Sequence, residues 1–382
     1  MLESRWARRA FAVGGVMLLL ALAAFCAELW ATHRLQESVG SSITAVHRSQ
    51  IEGLRLWGEA RKRDARGVST NKHVVAAALA TLDATSPRER SRALADLEEH
   101  LEDAAALEAV EGFLLVDLSG NGYAFTGHVE ELGLDLLKQP AFLDARRGEI
   151  TMSQPFSLKG ARPSGFGDDR PSMFTFAPIE RQNGQQVGVL GFRLDPAGEL
   201  SQLLALGRLG SSGESFAFDR AGTMVSSSRF ASQLRQAGLI HASGILEVEL
   251  KDPGKLVESA ADVSAEHPLT KPVRAVLAGN DGQDLEGWRD YRGHEEVGSW
   301  TWLPELRVGV VTEEDRSEAF SIISVTHWVA DGLIVLVLCA GAVVIVFALF
   351  AMKLESKAAA VVELGQYTLG KKIGEGGMGS VY

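Results

Sequence analysis

Two stretches of the chain show no periodicity because nearly every position is apolar. Residues 10–27 read AFAVGGVMLLLALAAFCA, without a charged or strongly polar side chain. With residues 28–31 they reach the length a helix needs to cross about 30 Å of hydrocarbon. Residues 332–352, GLIVLVLCAGAVVIVFALFAM, form a second run, entered by Trp328 and Asp331. The pattern predicts membrane-spanning helices at 10–31 and 328–352. For the first run a cleaved signal peptide is the alternative, with Ala21-Leu22-Ala23 as a small-x-small site. The run is longer than a usual signal core, and no obvious mature start follows it.

Between the two runs the period changes twice. Over 32–66, Leu35, Val39, Ser42, Val46, Ile51, Leu54 and Trp57 recur at helical spacing. This predicts a helix continuing outward from the first span, of a kind that packs within the chain or pairs with a second copy. Short helices follow at 73–82 and 87–107, the latter with Ser86 as N-cap and Glu89 three positions on. Period two then takes over, with strands at 112–118, 123–126, 150–156, 172–178 and 187–194 and helices at 140–147 and 196–206. A second set opens with strands at 215–218 and 224–227, loosens after Phe230, and closes with strands at 288–291, 296–302 and 308–313. A helix at 316–325 is expected to run straight into the second span. The segments VDLSGNGYA and FDRAGTMVS share one grammar of strand, acidic residue, glycine turn and strand. The fold class is therefore α+β: a long N-terminal helix and two antiparallel-sheet modules, at about 110–208 and 209–314. The Gly/Pro/charged segment 161–170, ARPSGFGDDR, reads as a surface loop or a lid.

Charge fixes the orientation. Arg5, Arg8 and Arg9 precede the first span, and Lys353, Lys357, Lys371 and Lys372 follow the second, against Arg34, Arg48 and Arg316 on the inner flanks. Residues 1–9 and everything after 352 are thus expected in the cytoplasm, with 32–327 outside. The formal net charge of −11 argues against nucleic-acid binding. Both cysteines, Cys26 and Cys339, fall in the spans, so the outer domain must stand on core packing alone. The histidines are scattered without metal-ligand spacing, and no serine sits in G-x-S-x-G.

The strongest chemical motif is at 364–382, LGQYTLGKKIGEGGMGSVY. Gly374, Gly376 and Gly379 form G-x-G-x-x-G, and Val381 extends it to G-x-G-x-x-G-x-V. With 40 glycines in 382 residues the three-glycine pattern arises by chance about 0.4 times, so its flanks must carry the weight. Tyr367, Leu369 and Ile373 alternate with polar residues, and Ser380-Val381-Tyr382 returns to strand-like types. A strand–glycine turn–strand hairpin is what close backbone approach to phosphates needs. A dinucleotide-binding turn would need a helix start, for which Gly-Met-Gly-Ser-Val-Tyr is poor. A flexible Gly-rich tail is the plain alternative. The segment closely resembles the start of bacterial serine/threonine kinases of the eukaryotic-like type. The resemblance covers about nineteen residues and implies an ATP-binding loop, with Mg2+ in the whole kinase. Ile373 and Val381 would cover the adenine, and Gly374, Glu375, Gly376, Gly377, Met378 and Gly379 would reach over the phosphates. No lysine in V-A-I-K context, no H-R-D and no D-F-G follows, so this stretch alone is expected to be catalytically inactive. Protein substrates belong to the whole kinase, and residues 353–366 form a short, Ala-rich, helical linker to it.

The outer domain resembles the double Cache sensors of bacterial receptors. The resemblance rests on VDLSGNGYAF, QPAFLDARRGE, APIERQNGQQVGVLGFRLD, GSSGESFAFDRAGTMVSSSRF and DYRGHEEVGSWTWLPELRVGVVTEED. It implies a small-molecule ligand in the module distal to the membrane, near 113–195. Amino-acid-binding members carry Arg-x-Trp-Tyr-x-x-Ala. Aligned on Ala145, this chain has Gln139, Ala141 and Phe142 there, so the carboxylate clamp is absent. Tyr123, Phe142 and Phe174 are candidate pocket residues, with Glu180 or Asp195 as a carboxylate for a cationic ligand; for the aromatics, core packing is the competing reading. The whole reads as a two-span receptor kinase dimerising through its helices. The alternatives are a chemoreceptor or histidine-kinase type of receptor, or a ligand-binding membrane module with a relic glycine loop.

Overall fold

A computed structural model of the chain describes residues 3–102, 110–125, 130–132, 136–157, 171–362, 373–377 and 379–381. The segment 161–170, the linker residues 363–366 and Met378 lie outside these. Residues 38–319 form one compact unit, and residues 1–37 with 320–382 form another.

Helix α1 (Glu3–Ser69) is uninterrupted over 67 residues. Within the 38–319 unit its buried side chains include Ile43, His47, Gln50, Ile51, Leu54, Ala65 and Val68, which recur at helical spacing along one face. The stripe read from hydrophobicity is one residue out of phase over its first half: Ser42 is exposed, while His47 and Gln50 are buried. These two polar residues hold buried positions because each has a partner there: His47 the hydroxyls of Thr301 and Thr312 on the sheet, and Gln50, with its amide turned, Leu203 O and Gly207 N–H, both at 2.7 Å. Helices α2 (Lys72–Asp83) and α3 (Pro87–Glu102) follow. The expected capping box closes as predicted: Glu89 N–H donates to Ser86 Oγ at 3.3 Å, and Ser86 N–H donates back to Glu89 Oε2 at 3.2 Å.

The first sheet is built from β1 (Val110–Asp117), β2 (Gly122–Phe125), β3 (Glu130–Leu132), β4 (Thr151–Met152), β5 (Phe156–Ser157), β6 (Pro171–Glu180) and β7 (Gln186–Leu194). Its order is β3-β2-β1-β7-β6-β4, with β5 also on β6, and the pairings are antiparallel. The single strand expected over 150–156 is thus two short ones. Alternation gives the sheet two apolar faces. Leu115, Ala177, Ile179, Leu190 and Phe192 pack on the end of α1, on α2 and on α3. Leu114, Val116, Phe174, Phe176 and Val189 pack under Leu136 and helix α4 (Pro140–Ala145).

Helix α5 (Glu199–Ala205) leads to the second sheet, of order β8-β11-β10-β9. Its strands are β8 (Glu214–Phe218), β9 (Gly282–Arg289), β10 (Glu295–Leu303) and β11 (Val308–Asp315). No strand forms at 224–227; Met224 makes only an isolated bridge to Phe218. The chain from there to β9 carries α6 (Ala231–Gln236) and α7 (Lys271–Leu277). One face, with Ala217, Val308, Val310 and Leu303, packs on Ile51 and Leu54 of α1. The other, with Phe216, Phe218, Trp300 and Val311, packs on Val273 and Val276 of α7.

The helix expected over 316–325 is broken: α8 (Arg316–Ala319) ends before Phe320, and α9 (Ser321–Val362) begins after it. In the other unit, α1 and α9 come together at several described points. Gly14 and Ile345 face each other, as do Met17 and Gly341. Further along, Thr32 Oγ1 and His327 Nε2 share a hydrogen bond of 2.9 Å. These pairs run in opposite chain directions, so the two helices lie antiparallel. Both contain windows long and apolar enough to cross a membrane.

Candidate functional site

The aromatic face of the first sheet follows from its register. Phe174 and Phe176 are two residues apart on β6 and stack at 5.5 Å, with Gly191 of β7 opposite Phe176. A Cβ on Gly191 would lie 3.0 Å from the Phe176 ring, so glycine there lets the ring lie flat on the sheet. Phe142 of α4 meets Phe176 edge-on at 5.8 Å. Phe142 and Phe174 are both fully buried in this stack. Tyr123 is opposite Leu115 on β2, and only its backbone is described. Glu180 ends β6, paired with Gln186, whereas Asp195 follows Leu194, which pairs with Met173 at the other end. The two carboxylates thus stand at opposite ends of one strand pair. Alternation specifies the face of a strand residue, not its distance along the strand from a neighbour.

Glu180 and Asp195 line different clefts. Glu180 lines an open cleft of about 950 Å³ with Arg66, Lys72, Glu149 and Arg181. Asp195 lines one of about 410 Å³ with Trp57, Glu111 and Glu199, where Trp57 Nε1–H donates to Glu199 Oε2 at 2.6 Å. A third cleft, of about 380 Å³, opens where α4 meets the β10–β11 turn and is lined by Gln139, Ala141, Ser153, Gln154, Arg220, Trp302 and Arg307 among others. Arg220 lies over the Trp302 ring at 4.6 Å. Arg307, itself at positive φ, donates to Met152 O at 3.2 Å and pairs with Asp144. Among the described residues two guanidiniums and two side-chain amides and no carboxylate line this cleft, a donor-rich lining suited to a small acceptor-rich ligand. Gln139 and Ala141, which stand where an amino-acid clamp would be, are part of it.

Sequence reasoning passed over a polar cluster in the second sheet. Glu214 is in phase with Phe216 and Phe218, Glu313 with Val311, and Glu296 with Trp300, so three acids occupy inward positions. Glu214 and Glu313 are direct cross-strand partners. Asp290, Tyr291 and Arg292 join them from the turn after β9, and all six side chains are buried. Tyr291 Oη–H donates to Glu214 Oε2 at 2.7 Å. Arg292 donates through Nε to Asp290 Oδ2 and through Nη2 to Glu296 Oε1, both at 2.6 Å. Burial pushes the carboxyls of Glu214, Asp290 and Glu313 up, and that of Glu296 up to about 9. An acidic residue in the apolar phase of a strand was the available signal.

The glycine-rich segment forms a hairpin, β12 (Gly374–Gly376) with β13 (Gly379–Val381), in the register Gly374↔Val381, Glu375↔Ser380 and Gly376↔Gly379. Ile373, Gly374, Glu375, Gly376, Gly377, Gly379 and Val381 are all exposed.

No family model matches the chain, and no curated protein matches it. Among solved structures, the ligand-binding domain of Mlp24 with asparagine is similar at 14% identity and a TM-score of 0.46, over 76% of this chain and 99% of that one. The ligand-binding domain of the Pseudomonas aeruginosa PAO1 amino acid chemoreceptor PctB with L-Arg is similar at 15% identity and a TM-score of 0.46, over 75% and 91%. That of the Campylobacter jejuni chemoreceptor Tlp3 with L-valine is similar at 11% identity and a TM-score of 0.45, over 76% and 98%.

Proposed function

We propose that the chain is the sensing end of a two-span membrane receptor of the double Cache kind, with residues 38–319 outside the membrane. The observation that carries this reading is the placement of one α+β unit between two helices that are each long and apolar enough to cross a bilayer. The cleft of about 380 Å³ beside α4 is the ligand site this reading favours, and its size suits a small organic molecule. Its arginines favour an organic anion over the cationic ligand that Glu180 or Asp195 would take, since those carboxylates line separate clefts. A thermal-shift screen of the full chain in detergent tests this, because a ligand of the folded state raises Tm. A small carboxylate is expected to raise Tm in the wild type and not in Arg220→Ala. A response to amines alone, or one that Arg220→Ala leaves unchanged, overturns the site.

On the far side, the glycine-rich hairpin supports an ATP-dependent serine/threonine kinase as output. The backbone of Gly374–Gly379 would lie over the phosphates, and the rest of the machinery would come from sequence beyond this segment. A chemoreceptor or histidine-kinase type of output is the second reading, favoured by the continuation of α9 as helix to Val362, ten residues past the apolar run ending at Met352. The gene sequence after Tyr382 separates the two. V-A-I-K, H-R-D and D-F-G in order support the kinase, and a long heptad helix overturns it.

A further inference from the structure

The turn that carries Asp290 is a third copy of a unit found twice elsewhere. Asp117 Oδ1 accepts from Ser119 N–H at 2.8 Å and Asn121 N–H at 2.9 Å. Asp219 Oδ1 accepts from Ala221 N–H and Thr223 N–H, both at 2.9 Å. Asp290 Oδ1 accepts from Arg292 N–H at 2.9 Å and His294 N–H at 2.7 Å. Each turn places a glycine at positive φ, namely Gly120, Gly222 and Gly293. Asp117 and Asp219 are partly exposed, whereas Asp290 is sealed at 1% exposure. The same backbone device has therefore been used here to fix a carboxylate inside the protein.

We propose that Asp290, Glu296 and Glu313 form a buried binding site for a hard divalent cation of the Ca2+ class. One oxygen from each of the three lies within 4.8 Å of the others. Oxygens on opposite sides of Ca2+ stand about 4.6–5.2 Å apart, and around Mg2+ only about 4.0–4.2 Å. Three oxygens no farther apart than this can all reach one ion of the Ca2+ size.

A second observation is independent of the clustering. Among the described residues Glu296 Oε2 and Glu313 Oε1 are buried without a hydrogen-bond partner, on side chains exposed by only 0% and 2%. The oxygens around them are occupied: both of Asp290 and Oε1 of Glu296 by Arg292 and His294, and those of Glu214 by Tyr291 and Arg229. A buried acceptor left unpaired costs about 1–3 kcal/mol, and more when charged. Among the described residues Glu214, Asp290, Glu296 and Glu313 face a single buried cation, Arg292, so a further positive charge is what the cluster lacks. His294 and Asp315, which approach each other at 3.6 Å, stand at its edge. The donor set is all oxygen, which suits Ca2+ and Mn2+ and not the softer metals. The backbone is fitted closely around the site as well. Gly298 stands opposite Glu313, beside a bulge after Glu296, and a Cβ there would lie 2.9 Å from Glu313 Cα.

This inference does not depend on the receptor reading. The test uses the full chain in detergent, stripped with EGTA and then given CaCl2, or MgCl2 at equal ionic strength. Retention of about one Ca2+ per chain after gel filtration is expected. So is a saturable rise in Tm of about 5 °C or more at a hundredfold excess over Kd, with a smaller rise for Mg2+. Glu313→Gln keeps the shape and removes the charge, and should abolish both retention and shift. Glu52→Gln, at an exposed carboxylate of α1, should abolish neither. Terbium luminescence excited through Trp288 and Trp300, competed away by Ca2+, reads the wild-type site directly should Glu313→Gln fail to fold. No retained metal and no competed terbium signal in the wild type overturns the proposal, as does an unchanged shift in Glu313→Gln. A stripped protein that gains stability only from added acid overturns it too, since protons would then neutralise the same oxygens.

Discussion

His47 shows how one side chain can tie a helix to a sheet at the expense of tolerance to acid. It lies on the buried face of α1, with Nδ1 3.0 Å from Thr312 Oγ1 and Nε2 3.0 Å from Thr301 Oγ1. Thr312 Oγ1 in turn meets Ser215 Oγ at 3.0 Å. Each ring nitrogen thus has a hydroxyl partner, and hydroxyls satisfy a neutral ring because they can donate or accept. Burial lowers its pKa from 6.5 to about 4, against a small opposing pull from Asp281. The folded state therefore disfavours the charged ring. The stability this gives is fully present above pH 6.5 and is lost as pH falls through about 4. The upper limit of that loss is about 3 kcal/mol. His47→Asn should lower Tm at pH 7.5 and flatten its fall between pH 7 and 4.5, in melts of both proteins across that range. Parallel curves for the two would show that the ring is not held neutral. The acids of the second sheet belong to the same scale. Glu214, Glu296 and Glu313 stand in apolar phase, and a reading by period alone assigns such positions to whichever hydrophobic residue lies nearest.

At the scale of elements, the unit of construction is a strand turned by Asp-x-x-Gly. Two of its three copies were legible as VDLSGNGYA and FDRAGTMVS, because turn chemistry is local and reads directly from residue type. The third, DYRGH, uses the same hydrogen bonds and was hidden because its aspartate faces inward. The capping box at Ser86 and Glu89 and the β6–β7 pair were legible for the same local reason. The strand expected at 224–227 and the unbroken helix at 316–325 were not, since both outcomes depend on tertiary partners. Glu318 of α8, for example, accepts from Ser211 N–H and Ser212 N–H at 2.8 Å each, partners that its own segment does not foretell. The phase of α1 is the clearest case. Leu54 is fully buried in the core beside Ala217, Val308 and Val310, while Leu56, two residues on, is 64% exposed. Leu54→Ala should cost about 2–5 kcal/mol in denaturant unfolding. Leu56→Ala should stay within about 0.5 kcal/mol. Equal costs would mean that the buried stripe has been assigned to the wrong side of the helix.

At the scale of the molecule, the chain joins the 38–319 unit to the two apolar helices through α1 and through the passage from β11 by α8 to α9, and on the receptor reading proposed above a signal would leave by these two connections. The two helices meet within one copy at small side chains, Gly14 against Ile345 and Gly341 against Met17, and the apolar surface around those contacts is left open. Leu18, Leu19, Phe347 and Phe350 are each at least 60% exposed, as lipid-facing or partner-facing residues would be. Cys26 and Cys339 are both unpaired and exposed on these helices. Pairing of two copies about a two-fold axis that passes beside Cys26 or Cys339 would set that cysteine against its counterpart. Copper-phenanthroline oxidation in membranes should then yield a covalent dimer, lost in Cys26→Ser/Cys339→Ser. Dilution with excess lipid distinguishes a stable pair from chance encounter. A stable pair keeps its crosslinking yield as lipid is added, whereas collisional dimers fade in proportion to the dilution. Fading of that kind would place any signal within a single two-helix copy, moving α9 against α1 across the contacts they share.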